Sequence, residues 1–320
     1  MKNIAVLTGG YSGEIEVSLK SASTVMKYLD MGQYNPILVH ILRDRWYANL
    51  KGNECPIDKN DFSFVSDNEK VEFDFAYIVI HGTPGEDGKI QGYLEMLEIP
   101  YSTGNVLNTA LTFNKISTKQ ALDEIGYYTA DYVHFRQGEL YDSNDILKKL
   151  GLPLFVKPAE SGSSLGISKV KEMVELPKAI EETFKFHDQC LIEGFVEGRE
   201  ITCGAFIMDG TVKVLPITEV ITQKEFFDYK AKYEHDQTVE VTPADLSEKD
   251  YKACQEMTGK IYGDLGCEGI VRVDYILSKK GLMIIEINTV PGLTDMSFIP
   301  QQVRAAGIDL TKFFESSIKL

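Results

Sequence analysis

The chain has 320 residues, 43% of them hydrophobic, and a formal net charge of −15 at pH 7, which allows two or three domains with sizeable cores. An acidic chain without a basic stripe cannot track a phosphate backbone, so nucleic-acid binding is excluded as the expected role, and no stretch reaches the roughly 18 apolar residues of a membrane span. MKNIAVLTGG is too short and Gly-interrupted for a signal peptide; the five cysteines (Cys55, Cys190, Cys203, Cys254, Cys267) form no CxxC and suit buried thiols in a reducing compartment, so the expected location is the cytosol.

IAVLT reads as a buried strand, GGYSGE as a turn, EVSLKSASTVMKYL as an amphipathic helix and PILVHIL as the next strand, a βαβ start. GGYSGE lacks the GxGxxG spacing and no acidic residue ends PILVHIL, which disfavours a dinucleotide fold of the dehydrogenase kind. FAYIVI is another buried strand. It is followed by the Gly/Pro loop HGTPGEDG, a helix that collects Glu86 and Asp87 at its start, and IPY as a short final strand.

A second region begins near Gly104. It holds helices at NVLNTAL and ISTKQALDEIG, strands at ADYVHF, LFVKP and GISKV, a small-residue loop SGSSLG, and the helix MVELPKAIEETFKF with Pro177 in its first turns. CLIEGFV, GREITCGAFIM and TVKVLPITEV form a run of strands, and SEKDYKACQEMTGKIYGDLG is the longest helical pattern. Between these, residues 221–246 are charged, aromatic and weakly periodic, and a loop of that length is usually functional or disordered.

IVRVDYIL and GLMIIEIN both alternate, which places Arg272 and Asp274 on one face of a hairpin and Glu286 and Asn288 on one face of its second strand. Three oxygen-bearing side chains suit Mg²⁺, and a guanidinium beside them suits a phosphate or a developing oxyanion. A solvated sheet face would show the same pattern. The next loop, NTVPGLTDMS, favours the nucleotide-phosphate reading: it adds Gly292 behind a proline, where backbone N–H groups can approach an anion, and Ser297 just before a helix. Lys157 leaves a buried strand beside SGSSLG, where it either holds ATP phosphates beneath backbone N–H groups or is a solvated strand-end lysine. The arrangement is not a Walker A motif.

With LFVKPAESGSSLGISKV, LIEGFVEGREIT, FFDYKAKY, RVDY and EINTVPGLTDMS, and with GGYSGEIEVSLKS and HGTPGEDGKIQGYLE near the start, the chain resembles the ATP-grasp enzymes, specifically the D-alanine–D-alanine ligase family. The resemblance runs from residue 4 to about 308, with the seven blocks in the family's order and spacing. The resemblance implies an α/β fold of three domains: an N-terminal parallel-sheet α/β domain (1–103), a central α+β domain (104–193) and a C-terminal α+β domain with an antiparallel sheet (194–320), which carries the lid loop and the magnesium site.

It also implies roles. Lys115 and Lys157 would contact the ATP phosphates, Glu193 the adenine amino group and Glu200 the ribose hydroxyls, and Glu193, Gly194, Phe195 and Val196 would form the adenine-facing hinge. Asp274, Glu286 and Asn288 would bind two Mg²⁺ or Mn²⁺ ions, agreeing with the hairpin reading, and Lys232 would reach the γ-phosphate from a lid loop. Arg272 and the Gly292 N–H would stabilise the tetrahedral oxyanion, Ser297 would hold the second substrate's carboxylate, and His81 would sit near the first one's. Glu14 would engage the first ammonium and join Ser163 and Tyr233 in a hydrogen-bond chain. Read from the residues alone, Glu14 could instead cap the helix behind it, His81 could be a satisfied loop histidine and Ser163 a turn serine.

The implied reaction joins two D-alanines at the expense of ATP through an acyl phosphate, supplying a peptidoglycan precursor, in an enzyme that forms a homodimer. Relatives that make an ester carry His where this chain has Tyr233, so Tyr233 predicts a peptide product. No general base for the second amine stands out. Ser161 and Asp295 depart from residues common in the family, and Asp295 lies two residues from Ser297.

Overall fold

The computed structural model describes residues 1–162, 165–222 and 238–319. The first sheet is built from β1 (Lys2–Gly9), β2 (Tyr34–Ile41), β3 (Trp46–Leu50), β4 (Asn53–Asp58), β5 (Ser63–Ser66), β6 (Glu69–Val71) and β7 (Phe75–Ile78), in the order β6-β5-β4-β3-β2-β1-β7. Helix α1 (Ile15–Tyr28) crosses from β1 to β2, and β1 is parallel to both β2 and β7. Covered on both sides, the centre of β1 is apolar: Ile4 and Val6 join one core while Ala5 and Leu7 join another.

The parallel part of the sheet is limited to those three strands. Beyond β2 the chain turns back in an antiparallel meander, β3 to β6, that sequence inspection passed over. These strands are short and half exposed, so they show neither a buried apolar run nor long alternation. The expected strand IPY is reduced to a single bridge between Ala76 and Tyr101.

Helices α2 (Lys89–Met96), α3 (Val106–Phe113) and α4 (Lys115–Ile125) lead into an antiparallel sheet of β8 (Tyr132–Arg136), β9 (Leu154–Pro158), β10 (Ser168–Val170) and β11 (Gln189–Gly194), ordered β10-β9-β11-β8. Leu154, Val156, Val170, Cys190 and Ile192 fill one face against Ile146 of α5 (Ser143–Leu150) and Leu176, Ala179 and Ile180 of α6 (Leu176–Thr183). Pro177 sits in the first turn of α6, where its missing N–H costs nothing. The register leaves Phe155, Lys157, Lys169, Leu191 and Glu193 on the opposite face.

The third sheet contains β12 (Gly198–Met208), β13 (Thr211–Val214), β14 (Thr218–Thr222), β15 (Thr238–Val241), β16 (Val271–Ser278) and β17 (Gly281–Asn288). Its path is β15-β14-β12-β16-β17, with β13 paired to β12. Ile201, Cys203, Val271, Val273 and Tyr275 bury one face against Cys254, Ile261 and Tyr262 of α7 (Glu248–Asp264), a helix capped by the Ser247 side chain. Helices α8 (Phe298–Ala305) and α9 (Leu310–Glu315) close the chain. Ile299, Val303, Phe313 and Phe314 from them share one core with Ile4, Val6, Ala22 and Val25, so the end of the chain is packed onto its beginning.

Candidate active site

Strand β16 pairs on both sides, and this decides the site. Thr202, Asp274 and Glu286 form one cross-strand row, and Gly204, Arg272 and Asn288 form the next. Their neighbours Cys203, Val273 and Ile287 point into the core, so strict alternation turns these polar residues to the other face. A bulge between Asp274 and Tyr275 locally breaks the ladder, a device common beside active sites. At Gly204 an added Cβ would lie 2.5 Å from Ile299 Cδ1 and 2.8 Å from Gln302 Oε1, so only glycine lets α8 approach this row.

Asp274 is surrounded by donors. Arg272 Nε donates to Oδ1 and a terminal guanidinium nitrogen to Oδ2, both at 2.8 Å; the Thr202 hydroxyl donates to Oδ1 at 2.6 Å and the Asn288 amide to Oδ2 at 3.2 Å. Burial disfavours the guanidinium's charge, but Asp274, with Glu286 and Glu86 behind it, more than offsets this and keeps Arg272 charged. Two carboxylates and an amide carbonyl suit Mg²⁺ or Mn²⁺, hard ions that take a few protein oxygens and complete their shell with water and substrate phosphates. Among the described residues no group of three or more His, Cys, Asp or Glu side chains forms a metal cage. The oxygen donors present fit such a hard ion, and Asp274 is already engaged by Arg272, Thr202 and Asn288.

Across from this sheet, Glu193 is buried between two ammonium groups. Lys119 Nζ lies 2.8 Å from Oε1, and Lys157 Nζ pairs with Oε2. Burial alone would push this carboxyl up, but the two lysines outweigh burial and hold it at about 2. Lys115 opens α4 and donates from Nζ to the Ser161 carbonyl at 2.8 Å, beneath the small-residue loop. Gly194 ends β11, and Phe195 and Val196 link it to β12. Phe195, half exposed, lies 6.2 Å from the Phe155 ring with Lys169 Nζ over its face at 4.8 Å. Glu200 stands on β12 beside Val220 and Ile276. A surface cavity of about 490 Å³ opens beside this link, lined by Leu152, Pro153, Lys169, Lys171 and Phe195.

The first domain meets both surfaces. Glu14 precedes α1, but its side chain makes no capping hydrogen bond, so the capping alternative is not what the side chain does. The carboxylate lies against the loop of residues 161–162: a Cβ on Gly162 would stand 1.9 Å from its Oε2. His81 is buried and fully engaged. Its Nδ1 lies 3.0 Å from the Val290 carbonyl, its Nε2 lies 3.2 Å from Ser21 Oγ, and Ser21 Oγ accepts from the Leu293 N–H. This network assigns the proton to Nδ1, and it ties the first domain to the loop holding Gly292. Ser297 Oγ accepts from the Thr294 N–H at 3.1 Å, and a Cβ at Gly292 would stand 2.9 Å from it.

The sequence falls into a family along nearly its whole length. Residues 3–104 match the family described as "D-ala D-ala ligase N-terminus" and residues 121–319 match "D-ala D-ala ligase C-terminus". It belongs to the D-alanine–D-alanine ligase family. The D-alanine–D-alanine ligase of Bacteroides fragilis is 46% identical over 311 residues, covering 97% of this chain and 96% of that protein, and the one of Porphyromonas gingivalis is 47% identical over 310 residues, covering 96% and 94%. Among solved structures, D-alanyl-alanine synthetase A from Vibrio cholerae matches with a TM-score of 0.90 at 30% identity, covering 99% of this chain and 97% of that one. VanG D-Ala:D-Ser ligase from Enterococcus faecalis matches at 0.85 and 30%, covering 99% and 98%. The family uses ATP and a divalent metal, and among the described residues no helix is long and apolar enough to cross a membrane.

In this ligase-family chain, the predicted residues Ser163, Lys232 and Tyr233 lie outside the described residues. The others fall into three groups: the Arg272–Asp274 sheet face with the loop after it, the Lys157–Glu193 face with its neighbours, and Glu14 and His81 with their contacts. Sequence inspection missed Lys119, Thr202, Ser21 and the buried Gln302. The last donates to the Thr202 carbonyl and Thr218 hydroxyl and accepts from the Gly204 N–H, fixing α8 to β12 and β14. Lys119 had a signal, since it stands one turn after Lys115 on the same helix.

Proposed function

We propose that this chain is an ATP-dependent D-alanine–D-alanine ligase that supplies a peptidoglycan precursor. The observation that carries the reading is the two-row constellation of Thr202, Asp274, Glu286, Arg272 and Asn288 on one sheet face, in a chain 46% identical to a D-alanine–D-alanine ligase over 97% of its length. The carboxylate oxygen of one D-alanine forms a bond to the γ-phosphorus of ATP as ADP leaves. The amine of a second D-alanine then forms a C–N bond at the acyl carbon, and phosphate departs with the oxygen it took from the carboxylate. The work of the protein is positioning and charge neutralisation.

In this reading Lys115, Lys157 and Lys232 hold phosphates, Glu193 accepts from the adenine amine beside Phe195 and Val196, and Glu200 holds the ribose. Arg272 and the Gly292 N–H offset the oxyanion, Ser297 takes the second carboxylate, and Glu14 and His81 flank the first D-alanine, with Ser163 and Tyr233 completing the chain from Glu14. Asp274, Glu286 and Asn288 would hold two Mg²⁺ ions, which supply charge neutralisation at the transferring phosphoryl group. The domains divide at about 103 and 193. The enzyme is a cytoplasmic homodimer; free thiols at all five cysteines support the compartment.

VanG shows that the fold also serves a protein named for D-serine. The higher identity to proteins named for D-alanine alone supports D-alanine as second substrate here. The acyl-phosphate step is tested with D-alanine carrying ¹⁸O in its carboxylate: one labelled oxygen per turnover is expected in the released phosphate. Unlabelled phosphate would contradict the mechanism.

A further inference from the structure

Glu193 is held twice, and its two partners are not equivalent. The Lys119 side chain is 5% exposed and fixed on every side: Nζ lies 2.8 Å from Glu193 Oε1, donates to the Ala130 carbonyl at 3.1 Å and stands 5.0 Å from the Tyr132 ring centroid. Lys157 is 13% exposed, stands near the end of β9 and pairs with Oε2 just before the loop that holds Glu14. Helix α4 mounts Lys119 one turn after Lys115, so the same rigid element reaches the loop at Ser161 and the carboxylate of Glu193.

In the reading above, a phosphate competes with Glu193 Oε2 for Lys157 while Glu193 accepts from the adenine amine. A buried carboxylate stripped of its cation is strongly disfavoured. With Lys119 in place, Glu193 keeps one ion pair when Oε2 is released. We propose that Lys119 is a positioning residue for the nucleotide: it holds Glu193 charged and oriented toward adenine while Lys157 transfers to the phosphate chain. This rests on the adenine and phosphate roles of Glu193 and Lys157, and it makes Lys119 a determinant of base selectivity that never touches the base.

The test compares steady-state kinetics with ATP and with inosine triphosphate, which carries a carbonyl where adenine carries the amine, in wild type, Lys119→Met, Lys119→Arg and Glu193→Gln. Lys119→Met is expected to raise KM for ATP about tenfold with kcat within about twofold, and to lower the preference for ATP over inosine triphosphate about fivefold; Lys119→Arg should restore most of both. If Lys119→Met lowers stability and kcat while leaving KM and the preference intact, its role is structural and the proposal falls. If Glu193→Gln lowers the preference and Lys119→Met does not, the proposal alone falls. A Glu193→Gln enzyme with unchanged preference removes the adenine role itself and the proposal with it. Should Lys119→Met fail to fold, the wild-type enzyme decides by NMR of its lysine Nζ groups: adding MgADP should shift the Lys157 signal and leave that of Lys119 in place, and both moving, or neither, overturns the idea.

Discussion

At the scale of single residues, charge placement explains the site better than charge count. In a chain with a net charge of −15, the cations proposed to meet anionic substrates are gathered on a few elements: Lys115 and Lys119 on α4, Lys157 on β9 and Arg272 on β16. Glu286→Gln and Asn288→Ala should each lower turnover by roughly 100-fold or more with unchanged circular dichroism, since each removes or weakens an oxygen donor for the metal; wild-type turnover in both would remove the metal assignment. Glu193 gives a pH prediction. Its carboxyl is lowered from 4.5 to about 2, so its stabilising contribution is complete above about pH 4.5 and fades as the pH falls toward 2. The melting-temperature difference between wild type and Glu193→Gln should be level from pH 6 to 8 and shrink in acid. A difference that grew on acidification would contradict the ion-pair account.

At the scale of elements, legibility followed periodicity. The hairpin β16–β17 was readable because alternation is clean where it matters, over Val271–Tyr275 and Glu286–Asn288, and the structure pairs Arg272 with Asn288 and Asp274 with Glu286 on one side of the bulge. The meander β3–β6 was not, because its strands are short and half exposed. Lys119 and Gln302 were unreadable for another reason: a lysine on a helix looks solvated and a glutamine looks neutral until tertiary packing supplies their partners. Asp295, flagged as a departure near Ser297, is oriented by contacts away from the site. It accepts from Arg304 on α8 at 2.9 Å and pairs with Lys27 of α1 at 3.3 Å. These are exposed contacts, so Asp295→Asn should raise KM for D-alanine only about twofold to fivefold at low salt, and the effect should vanish in 1 M salt; a salt-independent loss would show that Asp295 acts inside the site. Gly162→Ala is the harsher change, because its Cβ would meet the Glu14 carboxylate at 1.9 Å. A loss of roughly 100-fold in kcat/KM is expected from displacing that carboxylate, and near-normal kinetics would separate Glu14 from the first-substrate site.

At the scale of the whole molecule, the first and third sheets are joined because the chain's end is packed onto its beginning. The core shared by Ile4, Val25, Val303 and Phe314, and the relay from His81 through Ser21 to Leu293, set the first domain against the loop of Gly292. The fold class could be read from seven sequence blocks, since each carries a glycine, lysine or carboxylate whose chemistry is local, and the same blocks name the residues proposed for the site. The contacts of His81 with the Val290 carbonyl and of Ser21 with the Leu293 N–H could not be read, because each joins residues more than two hundred positions apart. The most direct test of the account is ADP release by the purified protein with MgATP and D-alanine, D-serine, L-alanine or no amino acid, with the product identified by mass. ADP formed with D-alanine in step with D-alanyl-D-alanine is the predicted result; ADP formed only with another acceptor, or none with any acceptor while ATP still binds, would contradict it.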